Sequence, residues 1–193
     1  ELDGDTRRKL TAEFSQIEAH VERALFYARA ENPEQDCLFR QIELEKIAAQ
    51  AIENHRSLLI QNGIRVEMEN MDCAVYTDEK WAVFILGQLL QNAAHYRGEA
   101  PVITISAHPL GKQVQLTVSD NGIGIPAHEL PRVFDRGFTG SNGRSRGGST
   151  GMGLYLCRKL SGFLDLGLEI ASEEGTRTTV TLTFPAKQNL TKL

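Results

Sequence analysis

Cysteine is scarce and scattered. Cys37, Cys73 and Cys157 are the only three, an odd count at spacings far too wide for a zinc knuckle or a CxxC pair, which excludes metal-ribbon and thiol-redox folds. They read as buried thiols of a reducing compartment. Long hydrophobic runs are lacking: none approaches the roughly 20 residues that cross a bilayer, and the first residues carry no signal-peptide pattern. Any membrane-spanning part of the natural protein is therefore expected outside this chain. No single sign of charge dominates either, since 21 Lys and Arg stand against 25 Asp and Glu for a net charge of -4. That excludes a nucleic-acid glove and a polybasic membrane patch. Six prolines without an internal repeat exclude collagen-like and solenoid chains. What is present, 41% hydrophobic and 24% charged residues over 193 positions, suffices for one core plus an appendage without a metal or a disulfide.

The appendage comes first. Leu10, Phe14, Ile17, Val21, Ala24 and Ala28 are spaced 4, 3, 4, 3 and 4 apart, which is the seam of a coiled coil. Three heptads are too short to stand alone in water, so this helix is expected to pack on another helix or another chain. Ordinary packing against the domain behind it is the alternative. Asn32-Pro33 ends the helix, and a polar linker follows. From Cys37 the pattern turns mixed. Leu38–Leu44 predicts a strand, and Ile47, Ala48, Ala51, Ile52, His55, Leu58 and Leu59 predict one helix that stops at Gly63. Short strands are expected near 64–68 and 73–77. Asp78 suits the N-cap of a helix whose apolar face carries Trp81, Phe84, Ile85, Leu89, Ala93 and Tyr96. A hairpin around Gly111, a helix over 151–164 and a hairpin turned at Glu174-Gly175 complete the chain. Locally paired strands with neighbouring helices predict an α+β protein, a two-layer α/β sandwich with a mixed, mainly antiparallel sheet.

Three features sit badly in a plain core. Val114, Leu116 and Val118 share one strand parity, and Asp120 is next on it, so its carboxylate points inward and needs a partner. Asp120-Asn121-Gly122 is equally a turn sequence, the simpler reading on the strand pattern alone. Gln88, Asn92 and His95 form a polar stripe at i, i+4 and i+7 on a largely apolar helix. Amide oxygens there suit Mg²⁺ with phosphates and waters completing its shell, or the stripe simply meets solvent. Residues Gly137–Thr150 contain five glycines, five Ser or Thr and one large apolar side chain, Phe138, so the segment is expected to be a structureless lid or linker. It leads into Thr150-Gly151-Met152-Gly153-Leu154 at a helix start, where free N–H groups suit a phosphate and Arg144 and Arg146 add charge. Neither a Walker loop nor a dinucleotide fingerprint is present.

The order of these features resembles a known family. QLLQNAAHY around Asn92 resembles the N box, DNGIGI at Asp120–Ile125 the G1 box, VFDRGF at Val133–Phe138 the F box, and STGMGL at Ser149–Leu154 the G2 box of the catalytic, ATP-binding domain of bacterial sensor histidine kinases. That domain lies within the wider GHKL superfamily of gyrase and mismatch-repair ATPases. The resemblance covers about Cys37 to Pro185, and FDRGFTGSNGR and GMGLYLCRKL are most similar to intramembrane-sensing kinases of Gram-positive bacteria that respond to antimicrobial peptides and pair with an ABC transporter. It implies the Bergerat-type sandwich, with helices on one face of the sheet, over residues 37–186. Residues 1–33 would be the second helix of a dimerisation hairpin with its linker, and 187–193 a tail. It implies that Asn92 ligates Mg²⁺ and that Asp120 accepts from the adenine amino group. Tyr96, Gly122, Gly124, Ile125, Phe134 and Phe138 would shape the nucleotide pocket, and Arg144, Thr150, Gly151, Met152, Gly153 and Leu154 would border the phosphates. Gln88 and His95 would complete the catalytic set.

Two departures qualify the likeness: His95 stands where the family often has Lys or Arg, and Gln88 where it has Asn or an acidic residue. No phosphoacceptor box, a His followed by an acidic residue and shortly by Pro, is found, and His20 sits in EAHVER. The chain is thus expected to begin after the phosphoacceptor helix and not to phosphorylate itself. The resemblance further implies ATP and Mg²⁺ as ligands, a response regulator as partner and a homodimer through the hairpin. It also implies an ABC transporter beside the whole protein, and a cytoplasmic place in a membrane-anchored chain, with no nucleic acid. A GHKL ATPase, disfavoured by the missing Glu at position 88, and a nucleotide-sensing dimerisation module without catalysis are the alternatives.

Overall fold

The computed structural model describes residues 37–146 and 150–185, together with Thr6, Leu25, residues 28–30 and Pro33; of residues 144–146 it describes the backbone only. The chain forms two compact units, Glu1–Cys37 and Leu38–Leu193. Most of the expected seam helix, His20 and the tail 187–193 lie outside the described residues; Leu25 and residues 28–30 are helical.

In the second unit, β1 (Phe39–Glu43) leads into helices α1 (Leu44–Asn54) and α2 (Arg56–Gln61), then strands β2 (Arg65–Glu69) and β3 (Ala74–Asp78). The long helix α3 (Glu79–His95) precedes the hairpin of β4 (Val102–Leu110) and β5 (Gln113–Asp120). A 3₁₀ turn (Leu130–Arg132), the short helix α4 (Gly140–Arg146), helix α5 (Gly153–Phe163) and the hairpin of β6 (Gly167–Glu173) and β7 (Arg177–Phe184) follow. The main sheet runs β2-β4-β5-β7-β6 and is antiparallel except for the β2–β4 pair, while β1 and β3 form a separate antiparallel ribbon.

Alternation along the central strands explains the two layers. Ile103, Ile105, Ala107, Leu116, Val118, Val180, Leu182 and Phe184 are buried, whereas Thr104, Gln115, Thr117, Thr179, Thr181 and Thr183 on the opposite parity stay half-exposed. Helices α1 and α5 pack on α3, which is therefore enclosed on almost every side. Leu86 and Leu90 are fully buried along with Trp81, Ile85 and Leu89, so the narrow apolar face expected from the sequence was too small; a helix apolar nearly all round is a central one.

Three expectations change in the structure. The helix predicted from Ile47 to Leu59 breaks at His55, whose backbone (φ -114°, ψ 11°) separates α1 from α2. Its ring turns inward: Nδ1 donates to the Ala51 carbonyl at 2.8 Å and Nε2 accepts from the Gln91 side-chain amide at 2.7 Å. Gly87 makes room, since a Cβ there would lie 2.5 Å from His55 Cε1. Secondly, the cysteines are not uniformly buried. Cys37 and Cys73 are half-exposed, while Cys157 is fully enclosed and its thiol is pushed up to about 12 by burial. Thirdly, the segment expected to be structureless contains α4.

Asp78 joins the ribbon to the central helix. Its Oδ1 accepts from Trp81 N at 3.0 Å, the expected N-cap, and its Oδ2 accepts from Leu38 N at 2.6 Å, tying the chain before β1 to the same carboxylate. Asp78→Ala should therefore strand two amides and lower unfolding stability by about 3 kcal/mol in urea titrations. Asp78→Asn, which can keep one acceptor, should lose clearly less. Equal losses would show that the acceptor kept by the asparagine contributes nothing.

Candidate functional site

Asp120 closes β5, opposite Ile103 on β4 and Thr178 on β7. The carboxylate faces inward as its strand parity implied and lines a cleft, and no hairpin turns at Asp120-Asn121-Gly122, since the next strand begins at Gly167; Oδ1 accepts locally from Gly122 N at 2.9 Å. The cleft is open to solvent. Its walls are apolar, with Leu89 from α3, Val118 and Val180 from the sheet, and Ile170 from β6. Asn92 and Tyr96 of α3 line the same space, as do Gly124, Ile125, Phe138 and Leu154.

Close backbone approaches hold the DNGIGI loop to its neighbours. A Cβ on Gly122 would lie 2.5 Å from the Tyr96 carbonyl oxygen, so the loop docks on the end of α3, where Ile123 N donates to Tyr96 O at 3.0 Å. Gly124 has φ +64°, and a Cβ there would come within 2.1 Å of the Glu173 carbonyl oxygen, so only glycine fits. Across that contact Gly175 N donates to Ile123 O at 2.8 Å and Ile125 N to Ser172 Oγ at 2.9 Å. The loop is thus clamped between α3 and the β6–β7 turn.

The glycines before α5 do the same at the other end. Gly151 (φ +66°) would place a Cβ 2.3 Å from Gly137 C, and Gly137 N donates to Gly151 O at 3.0 Å, so the two ends of the Gly-rich segment touch. A Cβ on Gly153 would meet Gln88 Oε1 at 2.8 Å, with Asn92 Oδ1 at 3.9 Å. The helix start therefore rests on the polar stripe of α3, and among the described residues no side chain caps it, so its first N–H groups have no partner within the helix, an arrangement that suits an acidic ligand. Gln88 is only 6% exposed, which removes the reading in which the stripe merely faces water. Among the described residues no group of three His, Cys, Asp or Glu could cage a cation. A cation at the Asn92 amide would have to draw its other ligands from water and a ligand's phosphates, as Mg²⁺ does.

Other expected residues lie at the margin. Gln88, Gly122, Thr150, Gly151, Met152 and Gly153 support or adjoin the cleft without lining it. His95 is half-exposed and stacks edge-on against Tyr96 at 4.7 Å. Phe134 also lies off the cleft, with the Arg158 guanidinium 5.1 Å over its ring, whereas Phe138 lines it under Arg132. The Arg144 side chain is outside the described residues. Sequence reasoning missed Glu129, Val133, Thr139 and Asn142. Val118 and Leu89 carried a usable signal in their parity with Asp120 and their place one turn before Asn92; Glu129 carried none.

Burial of Asp120 raises its proton affinity, partly opposed by the Gly122 N–H. For an acid the sign is then fixed: with the folded pKa above the unfolded one, the ionised form is penalised in the fold. That cost is absent below the unfolded pKa, grows as pH rises through the folded value and is complete above it. Asp120→Asn, which keeps the Gly122 contact, should therefore melt at or above the wild-type temperature at pH 7, and this advantage should vanish in the acid range. A variant destabilised more at neutral than at acid pH would contradict the assignment.

Comparison with known proteins follows the same lines. Residues 77–188, more than half of the chain, match the family described as histidine kinase-, DNA gyrase B-, and HSP90-like ATPase. The chain is similar to the sensor protein BceS of Halalkalibacterium halodurans, at 37% identity over 97% of this chain and 55% of that protein. It is also similar to the sensor protein kinase GraS of Staphylococcus aureus, at 32% over 98% and 55%. It thus spans just over half the length of these relatives. Among solved structures, the histidine kinase AdeS of Acinetobacter baumannii shares the fold with a TM-score of 0.72 at 18% identity, over 97% of this chain and 87% of that one. Cleft, glycine clamps and kinship agree, and the chain belongs to the histidine kinase-, DNA gyrase B- and HSP90-like ATPase family, with the fold of a histidine kinase catalytic domain.

Proposed function

We propose that this chain is the ATP-binding catalytic part of a two-component sensor histidine kinase. It passes the γ-phosphoryl group of Mg-ATP to a histidine on a dimerisation hairpin, from which the group moves to an aspartate of a response regulator. One observation carries the reading: a half-buried carboxylate, Asp120, and an uncapped helix start resting on Asn92 border one apolar-walled cleft. The Asp120 oxygen not held by Gly122 accepts from the adenine amino group, and the aliphatic walls suit the faces of a purine. Asn92 would hold Mg²⁺, whose charge would offset that of the nucleotide's phosphates. The N–H groups at the start of α5 receive the phosphates, and His95 approaches them from α3 in place of the usual Lys or Arg.

The chain's task is positioning and charge stabilisation. A histidine ring nitrogen forms the new P–N bond while the bond from the γ-phosphorus to the β,γ-bridging oxygen breaks, leaving ADP. The amide of Gln88, unlike a Glu carboxylate, cannot accept a proton from water, which favours the histidine as acceptor over hydrolysis. In the whole protein the hairpin makes a homodimer, a membrane anchor places this part in the cytoplasm, and an ABC transporter accompanies it. The likeness to the sensor proteins BceS and GraS supports the dimer and the anchored setting; the transporter rests on the resemblance of the sequence motifs alone.

Mixing the chain with γ-labelled Mg-ATP and a histidine-bearing hairpin supplied in trans should place acid-labile label on the hairpin, and Asn92→Ala should abolish it. Phosphate release without labelled hairpin would replace the kinase by an ATPase, and binding with neither would leave a nucleotide sensor. In calorimetry Asp120→Ala and Asp120→Asn should weaken nucleotide binding by roughly tenfold to a hundredfold, the worth of a hydrogen bond to a charged group. Amide exchange adds a second check. ATP should protect residues 137–150 more than ADP does, and Asn92→Ala should erase the difference, because Asn92 lies on another element and is coupled to them through the ion and the γ-phosphate. Equal protection by the two nucleotides in the wild type would exclude that coupling.

A further inference from the structure

Glu129 has no task in the reading above, yet it is buried: only 8% of it is exposed, and it borders the cleft. Burying a carboxylate is unfavourable unless strong donors receive it. Here the donor comes from the Gly-rich segment. Oε1 accepts from Ser141 N at 2.8 Å, twelve residues along the chain. Gly140, buried at φ +62°, presses against the same carboxylate so closely that a Cβ would meet Oε2 at 2.6 Å. Glu129 itself is held by the turn that carries it: its N–H donates to Pro126 O and its carbonyl accepts from Arg132 N, both at 2.9 Å. Thr139 and Asn142, on either side of the anchored residues, line the cleft, and Gly143 N donates back to Thr139 O at 3.1 Å. A run whose composition gives it nothing to bury is therefore folded over the cleft by one side chain from outside the run.

We infer that Glu129 is a positioning residue for the nucleotide: by holding Ser141 and Gly140 it keeps residues 138–143 as a wall of the cleft and so sets its affinity for adenine nucleotides. This rests on the reading of the cleft as an ATP site. The anchored residues face the same space as Asp120, so the effect falls on parts common to ADP and ATP. It differs in this from the Asn92-dependent effect, which follows the γ-phosphate.

The test compares the wild type with Glu129→Ala, Glu129→Gln and Gly140→Ala by calorimetry with ADP and Mg-ATP, amide exchange over residues 138–143, and thermal unfolding without nucleotide. Glu129→Ala should weaken ADP and ATP alike by roughly tenfold, the lower end for a buried bond to a charged acceptor, and should speed exchange in 138–143. Glu129→Gln, whose amide oxygen still accepts from Ser141, should recover most of the affinity and the protection. Gly140→Ala, with Glu129 intact, should reproduce the loss because the added methyl displaces the carboxylate. The inference is overturned if Glu129→Ala binds both nucleotides as the wild type does, or if 138–143 exchange is unchanged. It is equally overturned if affinity falls only in proportion to a general drop in melting temperature with no rescue by Gln. A wild type that binds no nucleotide would instead bring down the ATP reading itself, whereas wild-type binding with an indifferent Glu129→Ala removes this inference alone.

Discussion

The cleft is organised around a carboxylate, Asp120, whose burial favours its proton. Asp120 stands at the inner end of a central strand, among the aliphatic side chains that make the sheet's core face. Among the described residues its internal donor is the Gly122 N–H, which occupies Oδ1, while the side chain lines the cleft. A fully satisfied carboxylate would be more stable and less useful: an acceptor with spare capacity in a low-dielectric wall discriminates strongly for a ligand that brings a donor.

Holding that acceptor against an ordered wall requires backbones to approach more closely than side chains allow. Gly122 against Tyr96, Gly124 against Glu173, Gly151 against Gly137 and Gly153 against Gln88 are four such approaches, and each joins segments remote in the chain. They bring the loop after β5, the end of α3, the β6–β7 turn and the start of α5 to one place. The same geometry explains why α3 can carry polar residues in a core position. Gln88 and Asn92 face a helix start rather than a side-chain layer, and the first N–H groups of that helix, which have no intrahelical partner, make the stripe a polar seam.

The Gly-rich segment shows how a side chain elsewhere can override composition. Read alone, residues 137–150 have nothing to pack with. In the fold Gly137 and Gly151 close the loop at its base, and Glu129 gathers its first half into α4. The helix is short and glycine-rich, so propensity alone would not hold it, and the contact with Glu129 is one that composition does not reveal.

Strand parity, turn glycines and the Asp78 cap were legible in the sequence because they depend on near neighbours: alternation places Leu116 and Val118 inward whatever lies above them, and a capping carboxylate acts over three residues. Asn92, Asp120 and the paired glycines were legible as a set only through the resemblance of the four boxes in their order; the residue pattern alone favoured a turn at Asp120 and a solvent-facing stripe at Asn92. Long-range contact decided the rest. The break at His55 follows from Gly87 and Gln91, more than thirty residues away. The enclosure of α3 follows from the packing of α1 and α5 on it, and Phe134 is turned to Arg158 instead of the cleft. Glu129 reads as a surface acid in PAHELPR until Ser141 is brought to it. A side chain's task is visible in sequence when its partner lies within a turn or a strand period, and is set by tertiary structure when the partner arrives from another part of the chain.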